Sequence, residues 1–109
     1  MNPTHVADQA RVDELRARYL ASVPEKLKQL QDAWSEIQTN GWSAENLEPL
    51  RGMSHRLAGS AGSYGFHPQG QAAAALEDML IRFSEAPDQQ TLPEQIEDGF
   101  ERLVAGLQQ

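Results

Sequence analysis

Apolar residues recur at intervals of three and four along almost the whole chain, and no stretch of four or more alternates with the period of two that a half-buried strand requires. That spacing restricts the fold to helices packed on one another. A first helix is expected from about Asp8 to Ser22, with Val12, Leu15 and Tyr19 inward. Pro24 suits the first turn of a second helix, where a missing N–H costs nothing, and Leu27, Leu30, Trp34 and Ile37 continue it until Asn40-Gly41. Ser43 caps a third, whose inward series is Leu47, Leu50, Ser54, Leu57, Ala61 and Tyr64, with Gly65 as its end. Pro68 opens a fourth carrying Ala73, Leu76, Leu80 and Phe83, and Ala86-Pro87-Asp88 breaks the chain again. Thr91 then caps a last helix, with Pro93 in its first turn and Ile96, Phe100, Leu103 and Leu107 inward. Short connections place sequential helices side by side, so the expected fold is all-α, an antiparallel four-helix bundle with a short additional N-terminal helix.

The length of 109 residues allows one domain, with an ordered core from about residue 8 to 107 and ends that fray. Nine basic against sixteen acidic residues leave a net charge of −7, which argues against a nucleic-acid partner. Without cysteine, disulfides, thiolate catalysis and sulfur-ligated zinc are excluded. No apolar run approaches the roughly 20 residues of a membrane span, and Met1 to Ala10 lacks the layout of a secretory signal. A cytosolic monomer without membrane attachment is expected.

The segment Gly52–Gly65 does not read as ordinary helix, because four of the eight glycines fall within it. An interior helical glycine costs about 1 kcal/mol relative to alanine, so Gly52, Gly59 and Gly62 need an offsetting reason. At about 100° per residue, with Leu47 as zero, the inward residues cluster near −40°, while His55 falls near 80°, Gly62 near 60°, Gly59 near 120° and Gly52 near 140°. The three glycines therefore share the flank of His55, roughly 120° from the core direction. Two explanations compete. Either the glycines let another helix approach closely and His55 is a bystander, or they clear the surroundings of an exposed imidazole so that a partner brings a reactive group to it. A neutral imidazole is a good nucleophile near neutral pH, and phosphoryl acceptance is the chemistry that suits it.

The run His55-Arg56-Leu57-Ala58-Gly59-Ser60-Ala61-Gly62-Ser63-Tyr64-Gly65-Phe66 resembles the H-x-L-K-G-S-x-x-x-x-G signature of histidine phosphotransfer (HPt) domains, the relay modules of multistep two-component signalling. The likeness extends over nearly the whole chain, since an opening helix, a bundle of four more and the placement of the motif midway along the second bundle helix all fit the family. It implies that His55 takes a phosphoryl group from an aspartate of one receiver domain and passes it to another. Response-regulator receivers, a hybrid sensor histidine kinase, or both are the implied partners. The module itself needs no cofactor, the Mg²⁺ being the receiver's. Gly59 carries over as the residue that keeps space open beside the ring, and Gly65 as the break before the next helix. Glu77, in the Ala-x-x-Leu-Glu stretch of the fourth helix, resembles the position from which the family's neighbouring helix hydrogen-bonds the far imidazole nitrogen, a bond that would fix the tautomer. Where the family often has lysine, three residues after the histidine, this chain has Ala58. Arg51 and Arg56 are the candidates to meet phosphoryl charge in its place, and Arg51 is favoured because its direction is nearer that of His55. The exchange also keeps open a module that docks on receivers without transfer.

Other features carry less. Ala58-Gly59-Ser60-Ala61-Gly62 lacks the strand and sheet that a nucleophile elbow needs, which leaves Ser60 and Ser63 without a base. The Gly59, Gly62, Gly65 series follows no strand and precedes no Lys-Ser/Thr pair, so it is not a nucleotide loop. No histidine stands three residues after a glutamate, which removes a di-iron core. His67 is read as a capping or loop residue, His5 as inert, and Trp34 and Trp42 as packing residues.

Overall fold

The computed structural model describes residues 3–85 and 91–108. The chain forms four helices: α1 (Pro3–Asn40), α2 (Ala44–Ser63), α3 (His67–Glu85) and α4 (Pro93–Leu107). They form an antiparallel bundle in which α2 packs on α3, α3 on α4, and α1 closes the ring against α2 and α4. No strand is present among the described residues.

The ends of α2 follow from local chemistry. Ser43 is its N-cap, and the Ser43 hydroxyl accepts the Asn46 N–H at 3.2 Å. At the other end the Phe66 N–H reaches the Ala61 carbonyl at 2.8 Å and the Gly65 N–H the Gly62 carbonyl at 3.2 Å, a Schellman closure. That closure needs left-handed backbone, which Gly65 supplies at φ 87°. Helix α4 begins differently from expectation. Leu92, not Thr91, is the N-cap, and its N–H donates to Gln95 Oε1 at 2.9 Å, so a side chain inside the helix does the capping. The break expected at Ala86-Pro87-Asp88 lies outside the described residues.

The expected short first helix and the helix after Pro24 are one. Helix α1 runs unbroken through Pro24, which lies on the exposed face with the Leu20 side chain that precedes it by one turn. The Leu20 carbonyl, deprived of its intrahelical donor, therefore lies on the side open to water. The buried face carries Tyr19, Val23, Leu30, Ala33 and Ile37 in continuous register across the proline, and their burial outweighs one lost hydrogen bond. At about 1.5 Å per residue, α1 spans nearly the full 58 Å length of the molecule, whereas α2 covers about half of it. The N-terminal part of α1 consequently projects past its partners. Val12, expected inward, is 44 % exposed there, and Leu15 is only half-buried.

Leu47, Leu50, Leu57 and Ala61 of α2, Ala73, Leu76 and Leu80 of α3, and Ile96, Phe100, Leu103 and Leu107 of α4 complete the core, with Leu27, Tyr64 and Phe83 packed against it. Ser54 is fully buried, and the Ser54 hydroxyl donates to the Leu50 carbonyl at 2.8 Å. Trp34 stacks on Phe100 at 4.7 Å between centroids and meets Trp42 edge-on at 5.7 Å, so both tryptophans pack at one end of the bundle. At the other end the Tyr19 hydroxyl donates to Gln69 Oε1 at 2.8 Å, and Gln69 Nε2 donates to the Gly106 carbonyl at 3.0 Å. That chain of bonds ties α1 to α3 and α4.

Candidate functional site

His55 stands midway along α2 with its side chain 71 % exposed, on the flank that helical geometry assigns it. Its Nδ1 lies 2.8 Å from Oε2 of Glu77, which α3 presents from alongside and which is only 19 % exposed. An ionised carboxylate has acceptors alone, so the ring nitrogen facing Glu77 carries the hydrogen. In the neutral ring the lone pair is then on Nε2, the outward nitrogen.

The glycines divide by what a side chain at each position meets. A Cβ at Gly59 or at Gly62 has no atom within 4 Å, and one at Gly52 meets only Nη1 of Arg56 at 3.4 Å. Gly59 and Gly62 thus leave space open on the His55 flank. The close helix approach is made by Gly70 of α3, where a Cβ stands 3.2 Å from the Gly62 nitrogen and 3.3 Å from the Ala58 carbonyl oxygen. Sequence reasoning passed over Gly70, although a glycine just ahead of the alanine run Ala72–Ala75 is the kind of residue that marks a tight crossing.

Arg51 is not a free arm. Its guanidinium grips the Glu48 carboxylate in two hydrogen bonds, one of them Nε to Oε2 at 2.9 Å, and Nη1 lies 4.0 Å from Oε2 of Glu77. This ion pair holds the Glu48 carboxyl below the usual carboxylate range and the Arg51 guanidinium above its ordinary value. Glu48 was also missed from the sequence, its signal being the i, i+3 spacing to Arg51. Arg56 turns the other way and lines a shallow groove between α1 and α2 with Lys26, Gln29, Met53 and Leu57. Ala58 is half-buried and packs against the core.

The Ser63 hydroxyl donates to the Gly59 carbonyl at 2.8 Å and the Ser60 hydroxyl faces the Leu57 carbonyl at 3.5 Å, so each turns to its own helix backbone. His67 is the exposed first residue of α3, and the side chain of His5 lies outside the described residues. Among the described residues no three metal-ligating side chains gather, and no helix is long and apolar enough to cross a membrane.

No curated protein and no solved structure matches the chain. The family model of the Hpt domain matches it over residues 14–106, a span that holds the whole of α2, α3 and the imidazole–carboxylate pair between them. By that match the chain belongs to the Hpt domain family, the phosphocarrier modules of phosphorelays.

Proposed function

We propose that this chain is a phosphorelay intermediate that accepts a phosphoryl group on His55 Nε2 from a receiver-domain aspartate and passes it to a second receiver. The observation that carries the reading is the exposed imidazole held through Nδ1 by Glu77 at 2.8 Å. The Nε2 lone pair attacks phosphorus, the bond from phosphorus to the aspartyl oxygen breaks, and its electron pair returns to the receiver's carboxylate. With both nitrogens substituted the ring carries positive charge, and the Glu77 carboxylate lies where that charge develops. Open space at Gly59 and Gly62 admits the phosphorylated loop of the receiver. The chain supplies a positioned nucleophile on a rigid helix, and the receiver supplies the leaving group and its divalent cation. It works as a monomer in the compartment of its receivers, the cytosol, through a small and transient interface.

A second reading, a module that binds receivers without transfer, draws on Ala58, which puts a half-buried methyl where a cation serves the first reading. One experiment separates them. The chain is incubated with a panel of phosphorylated receivers, and the protein is assayed for acid-labile, base-stable phosphate. On the relay reading the wild type takes label, while His55→Gln takes none and still melts like the wild type. Label that survives the substitution removes the relay, and binding without label in the wild type selects the docking module.

A further inference from the structure

Glu48, Arg51 and His55 are spaced i, i+3 and i+7, which sets them in one stripe along α2. Glu77 enters this stripe from α3 between the arginine and the histidine, and both address the same atom. His55 Nδ1 is 2.8 Å from Glu77 Oε2, and Arg51 Nη1 is 4.0 Å from that oxygen. The longer distance exceeds a hydrogen bond but is a charge contact, sheltered because Arg51 is 34 % and Glu77 19 % exposed. A glutamate with one hydrogen bond to an exposed ring has other rotamers open to it, and ordering it in one costs entropy. The guanidinium opposes such excursions, and the guanidinium is itself held by its two bonds to Glu48.

We propose that Arg51 is a positioning residue for the phosphoacceptor, clamped by Glu48 so that it holds the Glu77 carboxylate against His55 Nδ1 and keeps the Nε2 lone pair outward. The inference rests on the assignment of His55 as the reacting residue. It departs from the expectation that Arg51 reaches for the phosphoryl group, because the guanidinium is committed to two carboxylates, one of which meets the ring at Nδ1. It also gives Glu48, an exposed residue with no contact to the imidazole among its hydrogen bonds, a part in the site.

The test uses potassium phosphoramidate, a small donor that needs no receiver: the Nε2–P bond forms, the P–N bond of the donor breaks and ammonia leaves. The full chain carries His5→Gln and His67→Gln so that only His55 reports, and ¹⁵N imidazole shifts read the tautomer. Arg51→Gln is expected to slow labelling about fivefold, the factor a unit charge at 4 Å contributes in bulk water, and to lower the Nδ1–H fraction. Arg51→Lys keeps the charge but cannot repeat the two-bonded grip on Glu48, so it slows labelling by less than Arg51→Gln does, and Glu48→Gln moves both readouts in the direction of Arg51→Gln by a smaller factor. Labelling at the parental rate with an unchanged tautomer in Arg51→Gln overturns the proposal. So does equal slowing in Arg51→Gln and Arg51→Lys, and so does a loss seen with receivers alone, which makes Arg51 a docking contact. Should phosphoramidate and tautomer respond as stated while no receiver donates, the relay reading falls and the role of Arg51 stands.

Discussion

Replacing Gly59 and Gly70 by alanine, one at a time, gives effects of opposite sign although both are helical glycines within the same helix pair. At Gly59 the new methyl meets no atom within 4 Å, so nothing opposes the gain in helix propensity, about 1 kcal/mol for an interior position. For a domain of this size that is a rise in Tm of about 4 °C. At Gly70 the methyl comes 3.2 Å from the Gly62 nitrogen and 3.3 Å from the Ala58 oxygen, both backbone atoms of α2 that cannot rotate aside. The helices must part by a few tenths of an ångström, and overpacking of this kind costs about 1–3 kcal/mol. Set against the propensity gain, the net is a loss of about 1 kcal/mol and a Tm lower by about 4 °C. Thermal unfolding followed by the fluorescence of Trp34 and Trp42, which pack against Phe100 and Phe83 at one end of the bundle, reads both changes. Receiver-to-chain transfer supplies the second axis, since the added methyl at Gly59 narrows the approach to His55 one turn away. A Gly59→Ala protein that is less stable than the parent, or one that is more stable and transfers at the parental rate, refutes the argument that this glycine is kept for access. A Gly70→Ala protein as stable as the parent refutes the close crossing.

Other perturbations test the bundle that carries the site. Gln69→Ala removes both the acceptor of the Tyr19 hydroxyl and the donor to the Gly106 carbonyl, and chemical denaturation should show a loss of about 2 kcal/mol. Ser54→Ala should fall within about 1 kcal/mol of the parent in the same assay, because the hydroxyl bonds only to its own helix and the Leu50 carbonyl keeps its backbone donor. Burial raises the Tyr19 phenol above its ordinary pKa, so from about pH 10 upward the unfolded chain sheds a proton that the folded chain retains, and stability falls as pH rises. Burial lowers Lys26, whose ammonium is 4.4 Å from the Tyr19 ring centroid; between its folded and unfolded values the unfolded chain holds the extra proton, so stability rises with pH. The difference between parent and Tyr19→Phe across pH 9 to 11, measured by denaturation, isolates the tyrosine: the alkaline fall should be smaller in the variant, and an equal fall contradicts the assignment.

Much of the site is legible in the sequence. The direction of His55, well away from Leu50, Leu57 and Ala61, follows from 3.6 residues per turn, and the structure leaves that ring 71 % exposed. The Ser43 cap and the glycine closure at Gly65 are likewise local, since each depends on atoms within a few residues of one another. Glu77 was reached only through the family's pattern, because nothing in the spacing of one helix names the residue that a second helix brings to 2.8 Å.

The periodicity alone determined that the protein is helical, which side chains of α2 to α4 turn inward and which flank bears the imidazole, because those properties are angles about a single helix axis. Tertiary packing decided the rest. Pro24 looked like a boundary until the apolar face on either side of it was given continuous partners in the bundle, and Val12 looked buried until α1 proved longer than the helices that cover it. Arg51 acquired Glu77, and Gly70 acquired the backbone of α2, only once α2 and α3 were set side by side. A sequence spacing gives the bearing of a side chain from its own axis, whereas distance to a group on another helix depends on how all four helices share one core.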